Sequence, residues 1–467
     1  MKLPYKFEER MREMLGGEYE GFIDAFENEP IYSGIRINSL RHGAHEAVKK
    51  VFGALESIPW CHDGFYVDKS KISGNHPLHL AGLIYFQEPS AMCAAEALPI
   101  NEGDYVLDLC AAPGGKSTQA GAKLNNTGLL AANEIVRSRA EILSSNIERM
   151  GLTNAVVTNE SPDALAKKYP EFFDKIIVDA PCSGEGMFRK EPQAVTEWSS
   201  EHTVSCGERQ KNILSSAMTM LKPGGMLVYS TCTFAPEENE KIAAWLVEKG
   251  MELMEMPELS MLVPGETEWS GTDIDMSRTR RIFPHKNKGE GHFAALFKKP
   301  ENLSSGVEKY EKKRKNKGKS KKFVDKSTIE TAVSLYRKFE SEVMSVKLNG
   351  EPVLFGDRLY LKPEGIDIRN IKVLRCGLEL GIIKKNRFEP SHALALALNE
   401  SELKRCINFD IDDERLIKYL SGEVIPCGLS GWCAVCVEGY GIGWGKCSGG
   451  QMKNHYPKGL RLKGQSA

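Results

Sequence analysis

Between residues 91 and 298, short apolar runs alternate with longer amphipathic stretches. YVLDLC, GLLAANE, NAVVTN, KIIVDAPC and GGMLVYSTCT read as strands, with helical spacing between them. Such alternation predicts a parallel sheet with helices on both faces, closed here by an edge strand at HFAALFKK. Ahead of it, helical periodicity over Phe7 to Met14 and Tyr19 to Phe26 is mixed with strand-like SGIRINSL and GFYVD. After Pro300 the pattern breaks. EKKRKNKGKSKKF has no apolar periodicity and reads as a flexible basic linker, either a solvated spacer or a tether for nucleic-acid phosphates. Beyond it, STIETAVSLYRKFESEV is helical in pattern, EPVLFGDRLYLKP reads as paired strands, and GWCAVCVEGYGIGWGKCSGGQMKNHYPKGLR is a glycine-punctuated β segment. The expected units are an α+β module at 1–88, an α/β domain at 89–299, the linker at 300–327, a second α+β module at 328–402 and a β domain at 403–467.

Composition narrows the class. A chain of 467 residues with 41% hydrophobic and 27% charged positions is that of an ordinary globular protein of several domains. No apolar run spans a bilayer, and MKLPYKFEERMREML lacks the apolar core of a signal peptide, so a cytoplasmic protein is expected. There, the 12 cysteines are expected to be reduced, each a small buried residue, a metal ligand or a nucleophile.

Open sheets of this type bind ligands beyond the carboxyl ends of their strands. Cys110, Glu134, Asp179, Cys182 and Cys232 all fall there. VLDLCAAPGGKST ends like a phosphate loop, but the glycine that opens such a loop is replaced by Cys110. Asp108 just ahead of it repels a triphosphate, and Glu134 at the end of the next strand suits a ribose diol. A ligand with adenosine and a positive sulfonium fits, which points to S-adenosylmethionine.

The fourth strand ends in Asp179-Ala180-Pro181-Cys182. Methyltransferases acting on nitrogen tend to carry an aromatic where Cys182 stands, so the thiol indicates covalent chemistry at carbon. Carbon 5 of a pyrimidine is a poor nucleophile until a thiolate adds to carbon 6 and makes carbon 5 an enamine carbon. Such a cycle needs a nucleophilic cysteine, an acid near ring nitrogen 3, and help in elimination. Cys232 precedes APEENEKIAAWLVEK, which has the look of a helix start; Cys182 precedes a glycine-rich loop with Arg189 and Lys190. Spacing does not choose between them.

The set YFQEPSAMCAAEAL, VLDLCAAPGGKSTQ, IIVDAPCSGEGMFRK, LVYSTCTFAPEENE and RRIFPHKNKGEGHFAALF, in that order, resembles the RNA cytosine-5 methyltransferase family of the Sun/Fmu and RsmF-like type. The resemblance covers residues from about 30 to 298. RINSL is similar to the family's N-terminal module, and the tail from about 330 resembles RsmF-like extensions with a PUA-like β unit. The implied fold is a Rossmann-like S-adenosylmethionine-dependent methyltransferase domain with an N-terminal α+β module and a C-terminal PUA-like β-rich extension. The resemblance implies Cys232 as the nucleophile, Cys182 as the residue that helps release the product, and Asp179 as the group that holds the cytosine edge. Lys116 is implied to touch base or cofactor. Cys110, Ala111, Ala112, Pro113, Gly114, Gly115 and Lys116 would wrap the methionine part of the cofactor and Glu134 its ribose, with Asp179 also lining that site. For the adenine, TNESPD offers Glu160, Ser161 or Asp163, of which Glu160 is favoured.

The expected partner is RNA, most of all ribosomal RNA of the small subunit, free or within the subunit, and the expected state is a monomer with no membrane contact. A target cytosine must leave its stack to expose carbon 6. SRTRRIFPHKNKG places Arg278, Arg280, Arg281, His285 and Lys286 as a basic rim for the surrounding RNA. The tail's Cys427, Cys433, Cys436 and Cys447 lack the spacing of a familiar zinc ribbon, so no metal is expected. Trp432 and Trp444 are expected in the core rather than as stacking platforms. Three alternatives stand beside this reading: the same chemistry on tRNA, an RNA-binding assembly factor with an inert cofactor fold, and a nitrogen or small-molecule methyltransferase.

Overall fold

The computed structural model describes residues 2–70, 72–303, 326–385 and 387–462. The basic run expected as a linker lies almost wholly outside the described residues. The first module begins with helices Tyr5–Leu15 and Tyr19–Asn28 and continues into an antiparallel sheet of β1 (Gly34–Ile37), β2 (Gly64–Tyr66) and β3 (Ile84–Gln87), in the order β2-β1-β3.

The central sheet is built on β4 (Tyr105–Asp108), β5 (Leu129–Asn133), β6 (Ala155–Thr158), β7 (Phe173–Asp179) and β8 (Leu221–Thr231), parallel and ordered β8-β7-β4-β5-β6. Successive side chains of a strand face opposite sides. Val106, Leu130, Val157, Ile177 and Val228 therefore enter one core, while their neighbours Leu107, Ala131, Val156, Ile176 and Leu227 enter the other. Burial on both faces explains why these strands read as continuous apolar runs. Strand order reverses between β4 and β7, and the carboxyl ends of those two strands flank a crevice.

Three short strands follow: β9 (Glu252–Met254), β10 (Val263–Pro264) and β11 (Arg280–Ile282); β12 (His292–Lys298) then lies antiparallel on β8. HFAALFKK is thus not the edge expected from its pattern. Both β11 and β9 pair with it, and at three residues each they are too short to show alternation in the sequence.

Helix Lys326–Val343 packs on an antiparallel sheet of β13 (Glu351–Phe355), β14 (Arg358–Lys362), β16 (Leu378–Lys384) and β17 (Arg387–Pro390). Between β14 and β16 the chain leaves this sheet, and β15 (Val373–Cys376) pairs antiparallel with β6. The C-terminal half thereby covers the open edge of the central sheet. The last unit holds β18 (Cys406–Phe409), β19 (Ile425–Pro426), β20 (Gly431–Val437), β21 (Tyr440–Ser448) and β22 (Gln451–Asn454), ordered β18-β20-β21-β22-β19. Its Phe409, Leu416, Tyr440 and Ile442 share one buried cluster with Ile35, Ile37 and Val48 of the first module. Among the described residues no helix is long and apolar enough to cross a membrane.

Candidate active site

A cleft of about 950 Å³ opens at the reversal point, a volume within the range of small-molecule sites. Cys110 to Pro113, Gly115, Lys116, Glu134, Asp179, Cys182 and Cys232 all line it. Gly114 does not; its φ of +117°, which only glycine adopts without strain, turns the chain into helix Gly115–Lys123. The helix is anchored from outside by the buried Arg36 of RINSL, whose Nη2 donates to Thr118 Oγ1 at 2.6 Å and to the Gly115 carbonyl at 3.2 Å.

At the end of β7, Asp179 Oδ2 accepts from Lys116 Nζ at 2.8 Å and Oδ1 from Ser230 Oγ at 2.8 Å. Burial pushes the Asp179 carboxyl up, but Lys116, then His292 and Ser230, outweigh it and leave the group below its ordinary value, hence ionised. Reciprocally, burial draws Lys116 down while Asp179 more than restores it, so the ammonium stays charged. His292, at the start of β12, has Nε2 3.6 Å from Asp179 Oδ1.

The two strand-end thiols meet here. Cys182 Sγ and Cys232 Sγ are 3.2 Å apart. The hydrogen bond with Cys232, then burial, hold the Cys182 thiol well above its ordinary range, and the geometry lets either sulfur be the donor of the pair. The loops carrying them approach closely: Gly186 donates its N–H to the Cys232 carbonyl at 2.9 Å, and a Cβ at Gly186 would meet that oxygen at 2.9 Å and the Gly291 oxygen at 2.8 Å. Beneath them lies Glu238, whose Oε2 accepts from Ser183 N at 3.0 Å and Gln210 Nε2 at 2.9 Å. Its burial raises the carboxyl to about 7, against the Ser183 hydrogen bond. Glu185, fully buried, accepts from Trp198 Nε1, Phe234 N and Arg10 Nη2.

The other half of the cleft suits an adenosyl group. Glu134 directly follows β5, with Oε1 held by Val136 N at 2.9 Å and Oε2 3.2 Å from Arg139 Nη1. Ile135 and Val136 beside it line the cleft although 62% and 46% exposed, an apolar surface for a flat ring. Asp108 is raised to about 7 by burial; its Oδ2 accepts from Ser117 Oγ, while the buried Oδ1 has no hydrogen-bond partner among the described residues. An amino group entering the cleft would supply one. These residues fit S-adenosylmethionine. Glu160, favoured for the adenine, does not line the cleft: its Oε1 accepts from the Lys372 N–H at 2.8 Å, next to β15. Ser161 and Asp163 do line it. The sequence holds no hint of the strand that draws Glu160 away.

The expected basic rim is also rearranged. Arg281 is buried, with Nε 2.6 Å from Glu240 Oε1, and Arg278 and Arg280 pair with Glu255. His285 and Lys286 reach Glu18 of the first module. None of the five lines the cleft. Arg189 and Lys190 face the buried Glu290 at 3.7 Å each. Residues that were not singled out from the sequence, Arg209, Asn212 and His292, line the cleft instead. Trp444 is buried as expected and donates to the Ser391 carbonyl, while Trp432 is half-buried against His455. Cys427 Sγ lies 2.8 Å from Cys447 Sγ in the last unit's core, and Cys433 and Cys436 are buried there.

A doubly wound sheet whose reversal-point cleft is lined by the Cys110–Pro113 turn, Glu134 and the paired thiols Cys182 and Cys232 is that of an S-adenosylmethionine-dependent methyltransferase. Comparison with known proteins narrows the class. The description "16S rRNA methyltransferase RsmB/F" matches residues 95–298, the RsmF N-terminal domain 3–89, the first RsmF C-terminal domain 338–398, and the RsmF PUA domain 406–462. The chain is 34% identical over 445 residues to the ribosomal RNA small subunit methyltransferase F of Vibrio atlanticus, covering 92% of each, and 32% identical over 450 residues to that of Shewanella loihica, covering 92% and 90%. A solved methyltransferase homolog from Pyrococcus horikoshii, 29% identical, superposes with a TM-score of 0.56 over 63% of this chain and 94% of its own. The chain belongs to the 16S rRNA methyltransferase RsmB/F family.

Proposed function

We propose that this protein methylates carbon 5 of a cytidine in small-subunit ribosomal RNA by covalent catalysis, with Cys232 as nucleophile and Cys182 as its proton partner. The observation that carries the reading is the 3.2 Å approach of the two thiols beside the Asp179–Lys116 pair. With Cys182 as the donor of the thiol–thiol hydrogen bond, Cys232 is the sulfur left to attack. Cys232 adds to carbon 6 of an extruded cytosine and breaks the 5,6 double bond, and the electron pair moves toward the nitrogen 3 edge. Asp179 orients that edge, and the Lys116 ammonium offsets the charge that develops there. Bound S-adenosylmethionine supplies the methyl group as an electrophile on sulfonium. Loss of the carbon 5 proton to water then restores the 5,6 double bond as the carbon 6–sulfur bond breaks; Cys182 lends its proton to the departing Cys232 sulfur and takes it back when the Cys232 thiolate re-forms.

Cys110 to Lys116 and Glu134 hold the cofactor, with Ser161 or Asp163 rather than Glu160 at its adenine. The protein works as a cytoplasmic monomer. Family membership favours ribosomal RNA over tRNA, and intact Cys232, Cys182 and Asp179 argue against an inert assembly factor. The test is to incubate Cys182→Ala protein with S-adenosylmethionine and cellular RNA, using Cys232→Ala as control. A protein–RNA adduct that survives denaturation and requires Cys232 is the expected result. Methylation by the wild type with no adduct in either variant overturns the assigned roles. No transfer by the wild type to free RNA or to assembled small subunits overturns the function itself.

A further inference from the structure

His292 is 3% exposed and lines the cleft, yet among the described residues neither ring nitrogen has a hydrogen-bond partner. A buried polar group without a partner destabilises a fold, so one that persists calls for an explanation. Alternation along β12 sends the next residue, Phe293, into the core opposite Thr231 and leaves His292 on the other face, toward Asp179. Burial and the Lys116 charge lower the imidazole to about 4, against Asp179, Glu88 and the Gly291 backbone, so it is neutral at working pH. A neutral imidazole offers one donor and one acceptor. Lys116 can only donate, and Asp179 can only accept, with both its oxygens already engaged.

We propose that His292 is a base-contacting residue whose free imidazole hydrogen-bonds the polar edge of the target cytosine once it enters the cleft. The inference rests on the proposed function, which supplies the base. That edge carries two acceptors, O2 and nitrogen 3, and one amino donor. A group able to play either part is what the Asp179–Lys116 pair lacks. The bland alternative is a histidine that merely fills space at the start of a strand.

The two readings predict opposite consequences for His292→Phe, which keeps volume and removes both polar atoms. For a base contact, kcat/KM for RNA falls at least tenfold and adduct formation in the Cys182→Ala background slows in parallel. Cofactor affinity stays within twofold, and the melting temperature is unchanged or higher, because an unsatisfied group has gone. His292→Gln, with a donor and an acceptor, recovers part of the loss. Wild-type-like kcat/KM in the Phe variant overturns the proposal, as does a loss accompanied by a lower melting temperature and weaker cofactor binding. If phenylalanine does not fit, His292→Leu is read by the same criteria. Transfer by the wild type in the same assay separates the two failures: without it the proposed function falls, and with it only the role of His292 is at stake.

Discussion

Arg10 of the first helix donates from Nη2 to Oε2 of Glu185 at 2.6 Å, joining residues 175 apart in sequence. Glu185 opens the turn after Cys182 and also receives the Phe234 N–H from the loop after Cys232. One buried carboxylate thus ties both thiol loops to the N-terminal module. Removing the guanidinium leaves that charge with one partner fewer. Arg10→Ala is therefore expected to lose about 2 kcal/mol, the scale of a hydrogen bond to a charged group. Urea denaturation reads the loss; turnover should fall with it, because the spacing of the sulfurs depends on those loops. A stable but slow Arg10→Ala enzyme would mean that the pair serves geometry alone.

The thiol pair makes a prediction about replacement as well as deletion. Cys232→Ser keeps a hydroxyl that is not ionised at neutral pH and should lower kcat by about a thousandfold or more, the scale of losing an activated nucleophile. Cys182→Ser keeps a proton donor facing Cys232 and should release product faster than Cys182→Ala. Single-turnover methylation and gel-resolved adduct yields measure the two effects. Equal adduct accumulation in Cys182→Ser and Cys182→Ala would exclude proton return from this position.

Glu238 sets a pH dependence. Its folded value of about 7 lies above the 4.5 of an ordinary glutamate, so the folded state binds its proton more tightly than the unfolded chain. The contribution is fully present below pH 4.5 and is lost as pH rises through about 7. The shift corresponds to about 3 kcal/mol at most. Glu238→Gln removes this dependence, so the variant should gain stability relative to the wild type between pH 5 and 8. Denaturation midpoints across that range test the sign; a gain toward acid pH would contradict it.

The strand β15 predicts what truncation does. A chain ending at residue 303 keeps every residue assigned to chemistry but uncovers β6, because the Gly377 N–H to Ala155 and the Asn159 N–H to Lys372 are lost. Open strand edges pair with other copies. The truncated protein should elute as aggregates in size-exclusion chromatography and precipitate on warming, whereas the full chain should elute at its own mass.

The parts legible in the sequence were those where one local rule acts. Leu107, Ile176 and Val228 announce buried parallel strands because both faces of the sheet are covered, and Cys182 and Cys232 stand out because thiols at strand tips are chemically conspicuous. Long-range pairing was not legible. Arg281 looked like part of a basic rim, since nothing nearby shows that Glu240, 41 residues away, neutralises it in the core. Glu160 looked like a cofactor ligand until a strand from beyond residue 370 claimed it. His292 lay within GEGHFAALF, where one polar residue at the start of an apolar strand has the same pattern whether it faces solvent or a substrate.

The buried cluster that joins Ile35, Ile37 and Val48 to Phe409, Leu416 and Ile442 has a consequence in time. A ribosome delivers the first module long before the residues that complete its core. Until β20 and β21 emerge, Ile35 and its neighbours have only the apolar partners of their own module, among them Ile72, Leu78 and Ile84, and the side that Phe409, Tyr440 and Ile442 cover is still open. The cluster at this junction is completed only by residues made much later than those that begin it.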